Sequence, residues 1–193
     1  MANTDIDSTG AGKAGAGKGG GGEVSDRTGP GPVIEHIISH KTESYVALFG
    51  HPLHAQTVHF PIALSFAVLG ADVFYWYSAD PFWLRAGLWA AGFAFVAGVA
   101  AGVFGTMELL LVRGIRLRVA SWTHAIAAVT LIAILGTNWG VRFTDLDNTL
   151  PHGLMLSILG AVFTGVAGWH GGKLVYDHGI GVMIGSKVTS SKR

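Results

Sequence analysis

An all-α fold, a four-helix membrane bundle running up-down-up-down, is what this 193-residue sequence predicts, on three observations. Charged residues are 13% of the chain, about half the roughly 25% of soluble domains, and mean hydropathy is +0.45. The charge is unevenly spread: ten of the charged residues fall in 1–50, three in the last 15, and only twelve in the 128 residues from His51 to His178. Four apolar runs in that middle stretch each reach the ~20 residues that cross ~30 Å of hydrocarbon.

Residues 1–32 read as a disordered tail. Ten of the 32 are Gly and none is aromatic, so the segment cannot bury enough apolar area to offset its ordering entropy. It lacks the apolar core of a signal peptide. Residues 33–50 change character. Ile34, Ile37, Ile38, Tyr45, Leu48 and Phe49 recur near helical spacing, opposite Glu35, His36, His40, Lys41 and Glu43, which predicts an amphipathic helix on the membrane surface.

The spans follow within a domain at 51–182, and a basic tail at 183–193 closes the chain. The first span, Ala55–Tyr77, is broken only by His59 and Asp72. The second, Phe82–Val112, is uncharged from Ala86 to Met107. The third, Val119–Val141, is interrupted only by His124, and the fourth covers Pro151–Val175. Connections at Ser78–Pro81, Arg113–Arg118 and Arg142–Leu150 are short, which forces antiparallel neighbours. The runs do not alternate, so a β-barrel is not expected.

Eleven of the thirteen Lys and Arg fall on one side of this topology, and only Arg85 and Arg142 on the other. Both termini are therefore expected in the cytoplasm, and the protein in a bacterial inner membrane. Trp76, Tyr77, Trp83, Trp89 and Trp139 read as an aromatic belt at the outer interface. Small residues such as Gly98 and Gly102 read as helix-packing positions. Asp72 is expected to pair with Arg85 or Arg142 near the outer face.

Nine histidines are the chemical signal. His59, Glu108, His124 and His170 come from four different spans to one layer near the basic end, with His54 at its edge and His152 at the opposite face. Ionisable groups inside spans are rare and point to function. Two readings compete. In one, two imidazoles on different helices ligate a haem b iron, His59 and His124 being the favoured pair, with His54 and His170 in reserve. The first and third spans run parallel, so their ligands meet at equal depth. Arg113, Arg116 and Arg118 would then meet the propionates. A second ligand further along the same helices would fall near Asp72, Thr137 or Asn138, none a His, so one haem is expected. In the other reading the layer is a divalent-metal site or proton relay built on His59 and His124 with His54, Glu108 and His170.

The segments HPLHAQTVHFPIAL at 51–64 and GADVFYW at 70–76, a His early in the third span, and GWHGGKLVYDHGIGV at 168–182 carry a resemblance. Together they resemble an uncharacterised family of small bacterial four-helix membrane proteins. Fusion of some relatives to Rieske or c-type cytochrome domains implies a redox setting. This chain carries no such fused domain, so any electron partner is expected to be a separate protein.

Other classes recede. Without Cys there are no disulfides, thiol catalysis or Cys-ligated clusters. A net charge of +1 gives no electrostatic support for nucleic acid. No Ser-His-Asp arrangement or carboxylate pair can be argued, so no catalytic residue is assigned. The function expected is a membrane electron-transfer component with one b-type haem. The alternative is a non-redox transport or scaffold subunit with a structural or metal-binding histidine cluster. The lipid bilayer is the certain partner, and self-association is left open.

Overall fold

The computed structural model describes residues 46–49 and 51–180. Strand β1 (Ala47–Leu48) pairs antiparallel with β2 (His51–Pro52), Leu48 opposite His51. The interfacial helix expected to run to residue 50 has therefore given way to a strand at 47–48. The cause is local. Pro52 disfavours helical backbone at His51. Phe49 takes a left-handed φ of 51°, and the His51 Nδ1 donates to its carbonyl across 3.0 Å. The rest of that helix, the Gly-rich tail at 1–32 and the basic tail at 183–193 lie outside the described residues.

Among the described residues, four helical stretches are long and apolar enough to cross a membrane. The first combines α1 (Leu53–Thr57) and α2 (His59–Ser78), interrupted at Val58. Pro61 explains the interruption: it has no N–H to give the Thr57 carbonyl, and its ring crowds that carbonyl. Helix α3 (Pro81–Leu111) starts with Pro at its first position and Asp80 as cap, the Oδ1 accepting from Phe82 N–H at 2.8 Å. A single turn, α4 (Arg113–Arg116), leads to α5 (Val119–Thr144). A 3-10 turn (Leu146–Thr149), capped by the Asp145 side chain, precedes α6 (His152–Tyr176). Gly179, at φ 60°, turns the chain back after α6, so that Ile180 N–H reaches the Leu174 carbonyl at 3.0 Å. All four expected spans are present, and the second and third connections carry extra helical turns that apolar-run counting does not resolve.

Helix α2 packs on α3 and α6, and α5 packs on the same two. The cross-section is thus a square, with α2–α5 and α3–α6 on the diagonals. Its polarity is inverted relative to a soluble bundle. Outside stand Phe60, Phe66, Trp89, Phe93, Ile126 and Trp169, all exposed. Inside lie small or polar residues, among them Ser65, Ala91, Ala94, Ala101, Ser121 and Ala127. Lipid tails are as apolar as Leu, so close packing and hydrogen bonds, not hydrophobic contrast, hold such helices together. Gly98 and Gly102 serve this packing by seating Ile132 of α5: a Cβ at Gly102 would stand 2.9 Å from its Cδ1. Trp139, one of the residues expected in the outer belt, packs between helices over Gly92 and stacks on Phe95 at 5.9 Å.

Candidate functional site

Two polar layers lie at opposite ends of the bundle, one buried and one partly buried. Far from the arginine-rich α4 connection, Arg142 and Asp72 are each 1% exposed. The guanidinium grips the carboxylate in a fork, Nη1 to Oδ1 at 2.7 Å and Nη2 to Oδ2 at 2.6 Å. Its Nε–H goes to Asn138 Oδ1 at 2.8 Å, and Nη2 also gives to Ser157 Oγ at 3.1 Å. Asn138 Nδ2 donates to the same Ser157 hydroxyl at 2.9 Å, and that hydroxyl lies 2.5 Å from Asp72 Oδ2. Gly87 and Gly153 make room, since a Cβ at either would come within 3.0 Å or 2.9 Å of a guanidinium nitrogen. Charge inside a bilayer persists when paired and hydrogen-bonded, and here four of the five Arg142 N–H donors have partners. Of the two partners expected for Asp72, Arg142 is the one it meets, and Arg85 is exposed. Halfway along the bundle, Ser65 Oγ and Thr164 Oγ1 hydrogen-bond at 2.9 Å.

At the basic end the chemistry is different. His54 on α1 and His124 on α5 approach across one diagonal, their ring centroids 6.2 Å apart and planes inclined by 75°. His54 Nδ1 lies 2.9 Å from the Ala101 carbonyl on α3, and His124 Nδ1 lies 3.1 Å from the Ala167 carbonyl on α6. A carbonyl only accepts, so each Nδ1 carries the proton. In the neutral ring each Nε2 then keeps its lone pair. Glycines shape both seats. A Cβ at Gly105 would stand 2.8 Å from His54 Cε1, and one at Gly171 would stand 3.1 Å from His124 Cε1. His170 is half-buried and close enough to act electrostatically on His124. Above the layer sits the core of Ala94, Ala127, Leu131, Leu135 and Ala167. Below it, Leu109, Val112, Ile115, Leu174 and Ile180 close the end.

His59 stands apart from this layer's interior. It is exposed, and its Nδ1 meets the Gln56 carbonyl at 3.2 Å. Thus His54 and His124 are the imidazoles that come together, and His59 faces outward. Glu108 is buried at the same end. Arg113 and Arg116 are exposed on the connection, while Arg118 is half-buried and donates to the Gly114 carbonyl at 3.2 Å and His178 Nδ1 at 3.4 Å. His152 is exposed at the far end, as its position predicts. Sequence reasoning missed Ser157, the Ser65–Thr164 contact and the glycine seats. The signal was available for Ser157, which stands four residues from Gly153 and three from Gly160, in phase with the small inner face of α6. Among the described residues no three His, Cys, Asp or Glu side chains converge as a metal-binding group.

The family model described as a predicted membrane protein, DUF2231, matches residues 50–183, more than half of the chain. No curated protein and no solved structure matches it.

Proposed function

Starting from a chain that belongs to the DUF2231 family of predicted membrane proteins, we propose a membrane electron-transfer component that holds one b-type haem between His54 and His124. The observation that carries this reading is the diagonal imidazole pair, each ring anchored through Nδ1–H on a backbone carbonyl with the Nε2 lone pair left for a ligand. Outer hydrogen bonds of this kind orient metal-ligating histidines. The two rings stand 6.2 Å apart, centroid to centroid, and would hold the group through their Nε2 atoms. Two imidazoles also suit a haem better than a bare divalent ion. A macrocycle brings four nitrogens of its own, whereas a structural zinc asks the protein for all four ligands and a catalytic one for three.

When bound, haem supplies a one-electron couple. The chain's own residues hold it and set its surroundings: His54 and His124 as ligands, Arg118 as the half-buried guanidinium for a propionate, and His170 as a polar neighbour. A separate redox protein serves as electron partner. The basic end faces the cytoplasm, following the distribution of Lys and Arg.

A pyridine-haemochrome assay of the detergent-purified protein, expressed with adequate haem, tests the reading. One haem per chain and a sharp reduced α-band are expected. The band is lost in His54→Ala and in His124→Ala, and retained in His59→Ala and His152→Ala. A colourless, folded protein overturns the redox reading and leaves the cluster structural. Orientation is checked separately on the Cys-free chain: Asp147→Cys labels with an impermeant thiol reagent from the periplasm and Leu117→Cys does not. The reverse pattern refutes it.

A further inference from the structure

The connection between α3 and α5 carries two guanidiniums that the proposed cofactor site does not use. Arg113 and Arg116 are exposed and three residues apart on the single turn α4, hence on one side of it. No Asp or Glu occurs between Leu109 and Thr144. Neither guanidinium has a carboxylate partner among the described residues; Arg116 Nη1 donates to the Leu110 carbonyl at 3.4 Å. The same surface is strongly apolar: Leu111 is 63% exposed, Leu117 71% and Val119 81%. Trp122, also exposed, fixes the turn by donating from Nε1 to the Arg116 carbonyl at 2.9 Å. All of this stands where α3 ends and α5 begins, at the end of two spans.

We propose that this connection is a binding surface for an anionic phospholipid, with Arg113 and Arg116 on the headgroup phosphate and Leu117 and Val119 against the acyl chains. Charge complementarity selects the headgroup. Two adjacent uncompensated guanidiniums repel each other and gain from an anion between them, and a guanidinium matches phosphate oxygens in a bidentate fork. The apolar flank selects a lipid over a soluble anion, because inorganic phosphate or an acidic peptide leaves Leu117 and Val119 in water. The proposal is independent of haem.

Native mass spectrometry of the detergent-solubilised full chain, titrated with phosphatidylglycerol and phosphatidylcholine of identical acyl chains, tests it. The protein is expected to bind phosphatidylglycerol roughly tenfold or more tightly, from the attraction of two basic side chains. Arg113→Gln with Arg116→Gln brings the two lipids to near parity, while Lys173→Gln, which removes a basic group already paired with Asp177, leaves the preference intact. Leu117→Ser weakens both lipids together. Equal binding of the two lipids by the unmodified chain overturns the proposal. So does an equal loss of preference in Lys173→Gln, which would mark a general charge effect. Displacement of phosphatidylglycerol by equimolar inorganic phosphate would also overturn it, marking a site for the free anion.

Discussion

At one end of the bundle Arg142 commits four of its five N–H donors, one from Nε, one from Nη1 and two from Nη2, to Asn138, Asp72 and Ser157. At the other, His54 and His124 each commit one ring N–H to a backbone carbonyl and keep the lone pair of the second nitrogen. Both arrangements bury polar atoms where lipid offers no hydrogen bonds. The first has spent nearly all its valences on itself, and the second has not. A network so closed is a structural joint. An oriented, half-used pair of imidazoles is a seat for a ligand.

The comparison breaks first at Arg142. Arg142→Met leaves the Asp72 carboxylate buried without its cation, and the expected cost is about 3–5 kcal/mol of bundle stability, measured by SDS titration in mixed micelles. Asp72→Leu combined with Arg142→Met recovers most of that loss, because a matched apolar pair leaves no charge behind. A loss in Arg142→Met below about 1 kcal/mol, the range of exposed ion pairs, would mean that the network is not the joint described here.

Next in size is Gly105→Ala. Its methyl group would sit 2.8 Å from His54 Cε1, so the imidazole must move, at about 1–3 kcal/mol of overpacking. The haem band should weaken with it. Gly165→Ala, with nothing within 4 Å of the added Cβ, should change neither property. Equal effects from the two glycines would remove the seat from the argument. His124→Ala should cost only about 1 kcal/mol, one neutral hydrogen bond, yet abolish the absorbance. A stability loss as large as that of Arg142→Met would make the imidazole a second joint. Smallest is Thr164→Val, which deletes the mid-bundle bond to Ser65 at about 0.6 kcal/mol, read in the same titration.

The spans were legible because each is a long run almost free of charge, and the need of Asp72 for Arg85 or Arg142 because charge inside such a run demands a partner; which arginine it meets was not. Depth along the membrane was also legible: counting residues brings the histidines to one layer. What counting does not deliver is direction around the helix axis. Pro61, Ser65, Val68 and Asp72 mark the inner face of α2 at spacings of three and four. At ~100° per residue, His59 lies about 160° from Pro61 and so points outward. His124 keeps phase with Ser121, Ala127 and Leu131 on the inner face of α5. Small and polar residues, not large apolar ones, carry the phase in an inverted bundle, which makes it easy to misread. His54 belongs to α1, on the far side of the Pro61 interruption, so the phase of α2 does not extend to it.

The position of the arginine joint has a consequence for how the molecule comes apart. It ties α2, α5 and α6 at one extremity, with α3 held close by Gly87, while at the opposite extremity His54 and His124 tie the helices through single bonds to backbone carbonyls. Opening should therefore travel in one direction, fraying from the α4 connection toward Arg142 as a sequence of partial unfoldings. Amide exchange should be fastest around Gly105 and Gly171 and slowest around Asn138 and Ser157. Any molecule gripping both His54 and His124 would lock the loose extremity and level that gradient, so occupancy could be read from backbone protons some distance from the ligand itself.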